Sequence, residues 1–342
     1  MISNIPNFQF GFLITCGFQL IFSVSAIASD KIYLPSTKEQ PVTAHGTIGK
    51  VVSVEDKVIN DCTAVIKVHP NKANAYRERG SAYSDKGLQQ KAIDDYSHAI
   101  KLEPKNFAFH EARGYIYLLQ GLGEKAIADY NQAVKLTPNC YSRYWSRAIA
   151  YDYLDQDQKA IEDCNQAIRL EREQPFLYNF RAVLYLGLRN YEKALADCNK
   201  AISLIPHNQY KYEYAKLYNQ RADVYRKMSN YSKALADCDK AIDCEPYVNS
   251  TFLTGTAAKC LKALKQIDDI CTAYSTRGTI RLEQGQFERA LEDLNRAIKL
   301  DPKCARSYAI RASIYGKLGL AQKAKDDINT ARTLDSAQLA GP

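Results

Sequence analysis

Histidine is scarce in this 342-residue chain, at positions 45, 69, 98, 110 and 207 only, and no two share a helical face at metal-binding spacing. With no histidine beside a usable nucleophile, neither a Ser/His/Asp nor a Cys/His arrangement can be assembled, so no catalytic residue and no cofactor site is expected. Closely spaced cysteine pairs are also missing, and with them the usual zinc signature, so no metal site is expected. Lys plus Arg number 46 against 38 Asp plus Glu, giving a formal charge of +8, but the charges are mixed along the chain. A nucleic-acid binder would show a clustered basic stripe, and there is none. The glycines and lysine of Gly46–Lys50 do not make a phosphate loop, because the spacing fails and Val51 stands where Ser or Thr is required.

What the sequence has instead is a period. Residues 73–106 read ANAYRERGSAYSDKGLQQKAIDDYSHAIKLEPKN, and related segments begin at Phe107, Tyr141, Pro175, Ala215, Cys271 and Ala305. The basic step is 34 residues, kept by Pro70, Pro104 and Pro138 and by Leu136, Leu170 and Leu204. Within one unit, Tyr76, Gly80 and Tyr83 share one face of a first helix. Lys86-Gly87 makes a turn. Ala92, Ile93, Tyr96, Ala99 and Ile100 form one face of a second helix, which Pro104 ends. Gly80 and Ala99 are small where the helices must approach. A hairpin this short cannot bury its apolar face alone and must stack on copies of itself.

The unit resembles the tetratricopeptide repeat. Numbered from the first residue of each unit, that pattern has an aromatic at 4, a small residue at 8, Tyr at 11, Ala at 20, an aromatic or apolar residue at 24, Ala at 27 and Pro at 32. The first unit supplies Tyr76, Gly80, Tyr83, Ala92, Tyr96, Ala99 and Pro104. The others follow with isolated departures, among them His110 for the aromatic at 4, Arg172 and Ser336 for Pro, and Arg281 for the second Tyr. The resemblance implies an all-α fold, a right-handed superhelical solenoid of seven helix-turn-helix units with a leading half-repeat. Of the 24 tyrosines, 14 fall at positions 4, 11 and 24, where core packing accounts for them.

In chain order, residues 1–28 read as a signal peptide: Phe10–Ala28 is almost wholly apolar and Ala26-Ile27-Ala28 is a small-x-small cleavage pattern. No Lys or Arg precedes Lys31, and the run is long enough to span a bilayer, so a retained membrane anchor is the alternative. The expected location is therefore exported, periplasmic or secreted, with membrane attachment only if residues 1–28 are kept. Residues 29–53 read as a linker and 54–72 as a capping helix, with Val58, Cys62, Val65 and Pro70 at positions 20, 24, 27 and 32. The seven units occupy 73–336, with insertions near 207–214 and 247–270, the second containing a short amphipathic helix over Ala257–Asp268. Residues 337–342 read as a tail.

Two charges recur in every unit. Arg stands at position 7 (79, 113, 147, 181, 221, 277, 311) and Asp at position 23 (95, 129, 163, 197, 237, 293, 327). Asp61 in the half-unit has no Arg of its own, so each Asp is expected to meet the Arg of the following unit. Cys62, Cys164, Cys198 and Cys238 share position 24 and are expected to act as small apolar core residues. Cys244, Cys260 and Cys271 bracket the long insertion and are the candidates for a disulfide, as Cys244–Cys260 or Cys260–Cys271.

The resemblance also places positions 2, 5, 6, 9, 12 and 13 of each first helix on a concave groove. There Tyr115, Trp145, Ile149, Tyr153, Phe176, Phe180 and Val183 form an apolar stretch that includes the only Trp. The expected function is a non-enzymatic scaffold that binds a protein or peptide segment there, with no nucleic acid and no small-molecule substrate. A membrane-associated assembly factor of an envelope or secretion complex, and a regulatory subunit of an enzyme in another chain, are the alternatives. Arg77 and Ser81 stand where a clamp for a peptide's terminal carboxylate would want Lys and Asn, so that specialised role is not expected.

Overall fold

The computed structural model describes residues 53–205, 211–244 and 257–340, and they are all-helical, with no strand among them. The chain divides into two compact units at Leu170/Glu171. The first begins with a single helix, α1 (Val54–Val68), and continues as three hairpins: α2 (Ala73–Asp85) with α3 (Gln89–Leu102), α4 (Phe107–Leu119) with α5 (Gly123–Leu136), and α6 (Tyr141–Tyr153) with α7 (Asp157–Leu170). The second holds four: α8 (Pro175–Gly187) with α9 (Tyr191–Ser203), α10 (Lys211–Lys227) with α11 (Tyr231–Asp243), α12 (Ala257–Glu283) with α13 (Phe287–Leu300), and α14 (Ala305–Lys317) with α15 (Ala321–Ala340). Within each unit of the chain, every hairpin packs on the next. The expected signal segment, residues 1–28, and most of the expected linker lie outside the described residues.

The turn inside every hairpin needs one residue at position 15 with positive φ. Gly87, Gly121, Gly285 and Gly319 supply it without strain, while Asp155, Arg189 and Ser229 adopt it at φ of 55°, 57° and 58°. Between the helices, positions 8 and 24 trade volume. A Cβ added at Gly80 or Gly114 would lie 3.1 Å from the ring of Tyr96 or Tyr130, and one at Gly278 would lie 3.1 Å from Leu294. Where position 8 is Ala148, Ala182 or Ala222, position 24 shrinks to Cys164, Cys198 or Cys238, all buried. These cysteines are core residues, as expected. Burial pushes the thiols of Cys198 and Cys238 up to about 12.

The Arg–Asp ladder corrects the inter-repeat pairing. Arg79 Nε and Nη2 each lie 2.8 Å from the two oxygens of Asp95 in its own hairpin, and the same bidentate pair recurs at Arg113–Asp129, Arg147–Asp163, Arg181–Asp197, Arg221–Asp237 and Arg311–Asp327. The third arm does bridge repeats. Nη1 of Arg79, Arg113, Arg147, Arg221 and Arg311 donates to Thr63, Ser97, Asn131, Asn199 and Asn295, all at position 25 of the preceding unit. Asp61 is exposed and is not what Arg79 bonds. The Arg also lies over the tyrosine rings at positions 4 and 11, and a Lys at position 19 covers the second ring, as Lys91 covers Tyr83 at 5.5 Å.

Three elements run longer than the period asks. Helix α10 starts four residues ahead of Ala215, so the first insertion lengthens a helix. The insertion helix expected to be separate over 257–268 is continuous with the sixth repeat, because no proline interrupts α12 from Ala257 to Glu283. Helix α15 continues to Ala340, since Ser336 stands where a proline would stop it.

Candidate protein-binding surface

The first helices of the hairpins carry the expected surface residues, and part of each helix also belongs to the core. In α4 and α6 these faces meet through Arg143, whose Nη1 donates to Glu111 at 3.0 Å and whose guanidinium lies 4.2 Å over the Phe107 ring. Arg143 Nε is buried without a hydrogen-bond partner. Burial raises the Glu111 carboxyl against the opposing pull of Arg143. At the end of α6, Asp152 is half-buried and its carboxyl is pushed up to about 7, first by burial and then by Asp157 and Asp155. Asp85, at the end of α2, is raised by burial and by Glu55.

The expected anchors in this first unit differ in exposure. Trp145 (5% exposed) and Ile149 (7%) are buried, whereas Tyr115 and Tyr153 are half-buried. Tyr115 packs on the cluster of Ala92, Ile93, Tyr96 and Ile116. The Tyr153 hydroxyl would lie 3.0 Å from a Cβ at Gly121. Trp145 is therefore a packing residue first, and its removal would be felt by the fold.

In the second unit, Phe176, Phe180 and Val183 lie on α8, all half-buried. On the same helix Asn179, and on α10 Asn219, occupy position 5, and each has a buried side-chain oxygen with no hydrogen-bond partner. Asn219 Nδ2 donates to the Asp269 carbonyl at 2.7 Å. Arg226 Nε and Nη2 donate to Asp223, and its Nη1 reaches Glu283 on α12 at 2.6 Å. Asn179 and the link from Arg226 to Glu283 were not singled out from the sequence. The signal was present in the recurrence of Asn at position 5 of consecutive units.

Both disulfides expected around the insertion, Cys244–Cys260 and Cys260–Cys271, need Cys260. The Cys244 thiol donates to the Lys240 carbonyl at 3.1 Å, and Cys271 Sγ lies within 4.8 Å of Cys304 Sγ. Cys260 lies outside the residues whose side chains are described.

Family models described as TPR repeat and tetratricopeptide repeat match residues 80–121 and 278–322, 175–208 and 215–247, and 109–140, together just over half of the chain. The chain belongs to the tetratricopeptide repeat family. This repeat protein is similar in fold to a tetratricopeptide repeat protein from Parabacteroides merdae at 22% identity and TM-score 0.54, over 81% of this chain and 93% of that one. It is similar to a chain of the APC/C hetero-tetramer Cut9-Hcn1 at 15% identity and TM-score 0.55, over 76% of this chain but only 46% of that chain. It is also similar to PilF of Pseudomonas aeruginosa at 14% identity and TM-score 0.51, over 70% and 97%. At these identities the likeness is one of fold. No curated protein sequence matches. The repeat fold is that of a scaffold for protein–protein interaction. No described helix is long and apolar enough to cross a membrane.

Proposed function

We propose that this repeat protein is a non-enzymatic scaffold that holds a protein or peptide segment along its first helices. The observation that carries the reading is the half-exposed state of Phe176, Phe180 and Val183 on α8 and of Tyr115 and Tyr153 in the first unit. Apolar side chains left partly exposed on a helix face are the usual anchors of an interaction surface. Trp145 and Ile149 are buried and belong to the packing of the first unit. Export by residues 1–28 is part of the same proposal, with a soluble mature chain as its consequence.

The test is affinity capture with the parent chain and a Phe176→Ala, Phe180→Ala variant side by side. A partner retained by the parent and lost by the variant, with helical content unchanged, supports the reading. Equal capture by both overturns the assignment of the surface. Fractionation with N-terminal sequencing checks export separately: a membrane-bound chain that keeps residue 1 contradicts it.

A further inference from the structure

Cys271 opens the sixth repeat within α12, and Cys304 caps the N-terminus of α14, one residue before the seventh. They occupy positions 1 and 34 of the same unit, which stacking brings together. The corresponding pairs Ala73/Asn106, Phe107/Cys140 and Tyr141/Gln174 contain one cysteine at most. Asp301 follows the end of α13 and completes a cluster. Cys271 Sγ, Cys304 Sγ and a carboxylate oxygen of Asp301 all lie within 4.8 Å of one another. Cys271 is buried, while Asp301 and Cys304 are half-buried.

Neighbouring groups fix these donors. Ser307 Oγ donates to Cys304 Sγ at 3.1 Å and is itself 2.7 Å from Ser275 Oγ. Cys271 Sγ lies 3.6 Å from the Ala297 carbonyl, and the Lys303 amide donates to Asp301 at 2.9 Å. A dithiol destined for a disulfide gains nothing from a carboxylate at its side, because the carboxylate opposes thiolate formation. A cation gains a third ligand. Tetrahedral zinc with bonds of about 2.3 Å to sulfur sets two sulfurs about 3.8 Å apart, inside the spread of this cluster. The surrounding hydroxyl and amide donors are the kind that orient metal ligands.

We propose that Cys271, Cys304 and Asp301 form a site for one thiophilic divalent cation of the zinc class. On binding, the two thiols lose their protons to solvent and nothing is oxidised or reduced. Two thiolates and one carboxylate leave the loaded site with a single net negative charge, and water fills the fourth position. The ion ties the first helix of the sixth repeat to the start of the seventh. Cysteine spacing along the chain does not reveal the site, because the two thiols stand 33 positions apart.

The test is cobalt(II) titration of the purified full chain, reduced with a non-coordinating phosphine. The expected result is one cobalt per chain, with thiolate-to-cobalt charge transfer and tetrahedral absorption bands that zinc displaces. Cys271→Ser and Cys304→Ser each abolish the bands. Asp301→Asn weakens apparent affinity by about tenfold or more, at least the loss seen for outer-shell partners. Cys140→Ser, at position 34 of the second repeat, changes nothing, and circular dichroism shows that each variant keeps its helices. Absence of bands in the parent, bands that survive the double Cys271→Ser, Cys304→Ser change, or an unaltered affinity in Asp301→Asn overturns the proposal. So does a peptide map of the unreduced protein showing Cys271 joined to Cys304, which assigns the pair to redox chemistry instead.

Discussion

Asp293 is held by two arginines, Arg277 from position 7 and Arg281 from position 11, with Arg281 Nη1 at 2.8 Å. Elsewhere position 11 is a tyrosine lying under the position-7 arginine. In the sixth repeat Arg281 replaces that ring and spends its charge on the same carboxylate. The two arrangements predict different costs. Arg147→Ala strips Asp163 of its bidentate partner and is expected to destabilise by about 3 kcal/mol, the lower range for breaking a buried pair. Arg277→Ala leaves Asp293 with Arg281 and costs at least about 1 kcal/mol less. Asp61→Ala, on an exposed residue outside the ladder, stays within about 0.5 kcal/mol of the parent. Denaturant midpoints of the three variants check this order.

The exchange of volume between positions 8 and 24 is testable as a cycle. Gly114→Ala forces a Cβ to within 3.1 Å of the Tyr130 ring and 3.3 Å of the Ala126 carbonyl. The expected cost is about 1–3 kcal/mol, as for overpacking. Tyr130→Cys opens a cavity and also destabilises. Together they recreate the Ala148/Cys164 combination of the next repeat, so the double variant is more stable than the sum of the single effects. Strict additivity in thermal unfolding would refute the compensation.

Trp145 is a residue of the fold. Its replacement by alanine is expected to cost about 3–5 kcal/mol, because a large buried side chain leaves a cavity. Phe180→Ala, at a half-buried position, costs less. Melting curves that rank Phe180→Ala as the more harmful change would place the packing of α6 and α8 wrongly.

Asp152 sets a pH dependence with a defined sign. Its carboxyl rises from an ordinary 3.8 to about 7, so the folded state holds a proton that the unfolded state releases over that interval. The raised value means that this contribution to stability is complete below about pH 4 and is lost as pH climbs towards 7. Asp152→Asn removes the penalty for ionisation. The variant is expected to be more stable than the parent at pH 7–8, with a flatter stability profile between pH 4 and 7. Equal slopes for parent and variant over that window would contradict the assignment.

The repeat was legible because each unit states its own core: Tyr76, Gly80, Ala92 and Ala99 recur at fixed steps, and each recurrence confirms the one before. The Arg–Asp pairs were legible as a ladder, but their register was not. Positions 7 and 23 look equally well placed for pairing within a unit or across units until the hairpin's packing angle is known. Asp61 pointed across the repeats, whereas the true inter-repeat link runs from Arg Nη1 to position 25, whose identity changes from Thr63 to Ser97 to Asn131 and so hides its shared role as acceptor. The candidate surface was legible only in part. Periodicity selects the helical face of Trp145 and Phe180, but it cannot say which of them neighbouring helices cover. Cys304 was missed for a related reason, since its partner Cys271 is distant in sequence and near only through stacking.

The central claim is that the open aromatic residues of the first helices bind a partner segment. It is tested most directly by titrating the captured segment into the parent chain and into the Phe176→Ala, Phe180→Ala variant, with melting curves recorded alongside. Loss of a true anchor pair costs at least about 2 kcal/mol, or roughly 30-fold in dissociation constant. The account predicts that loss with the helical fold retained. An affinity unchanged within about twofold, well under 1 kcal/mol, would contradict it.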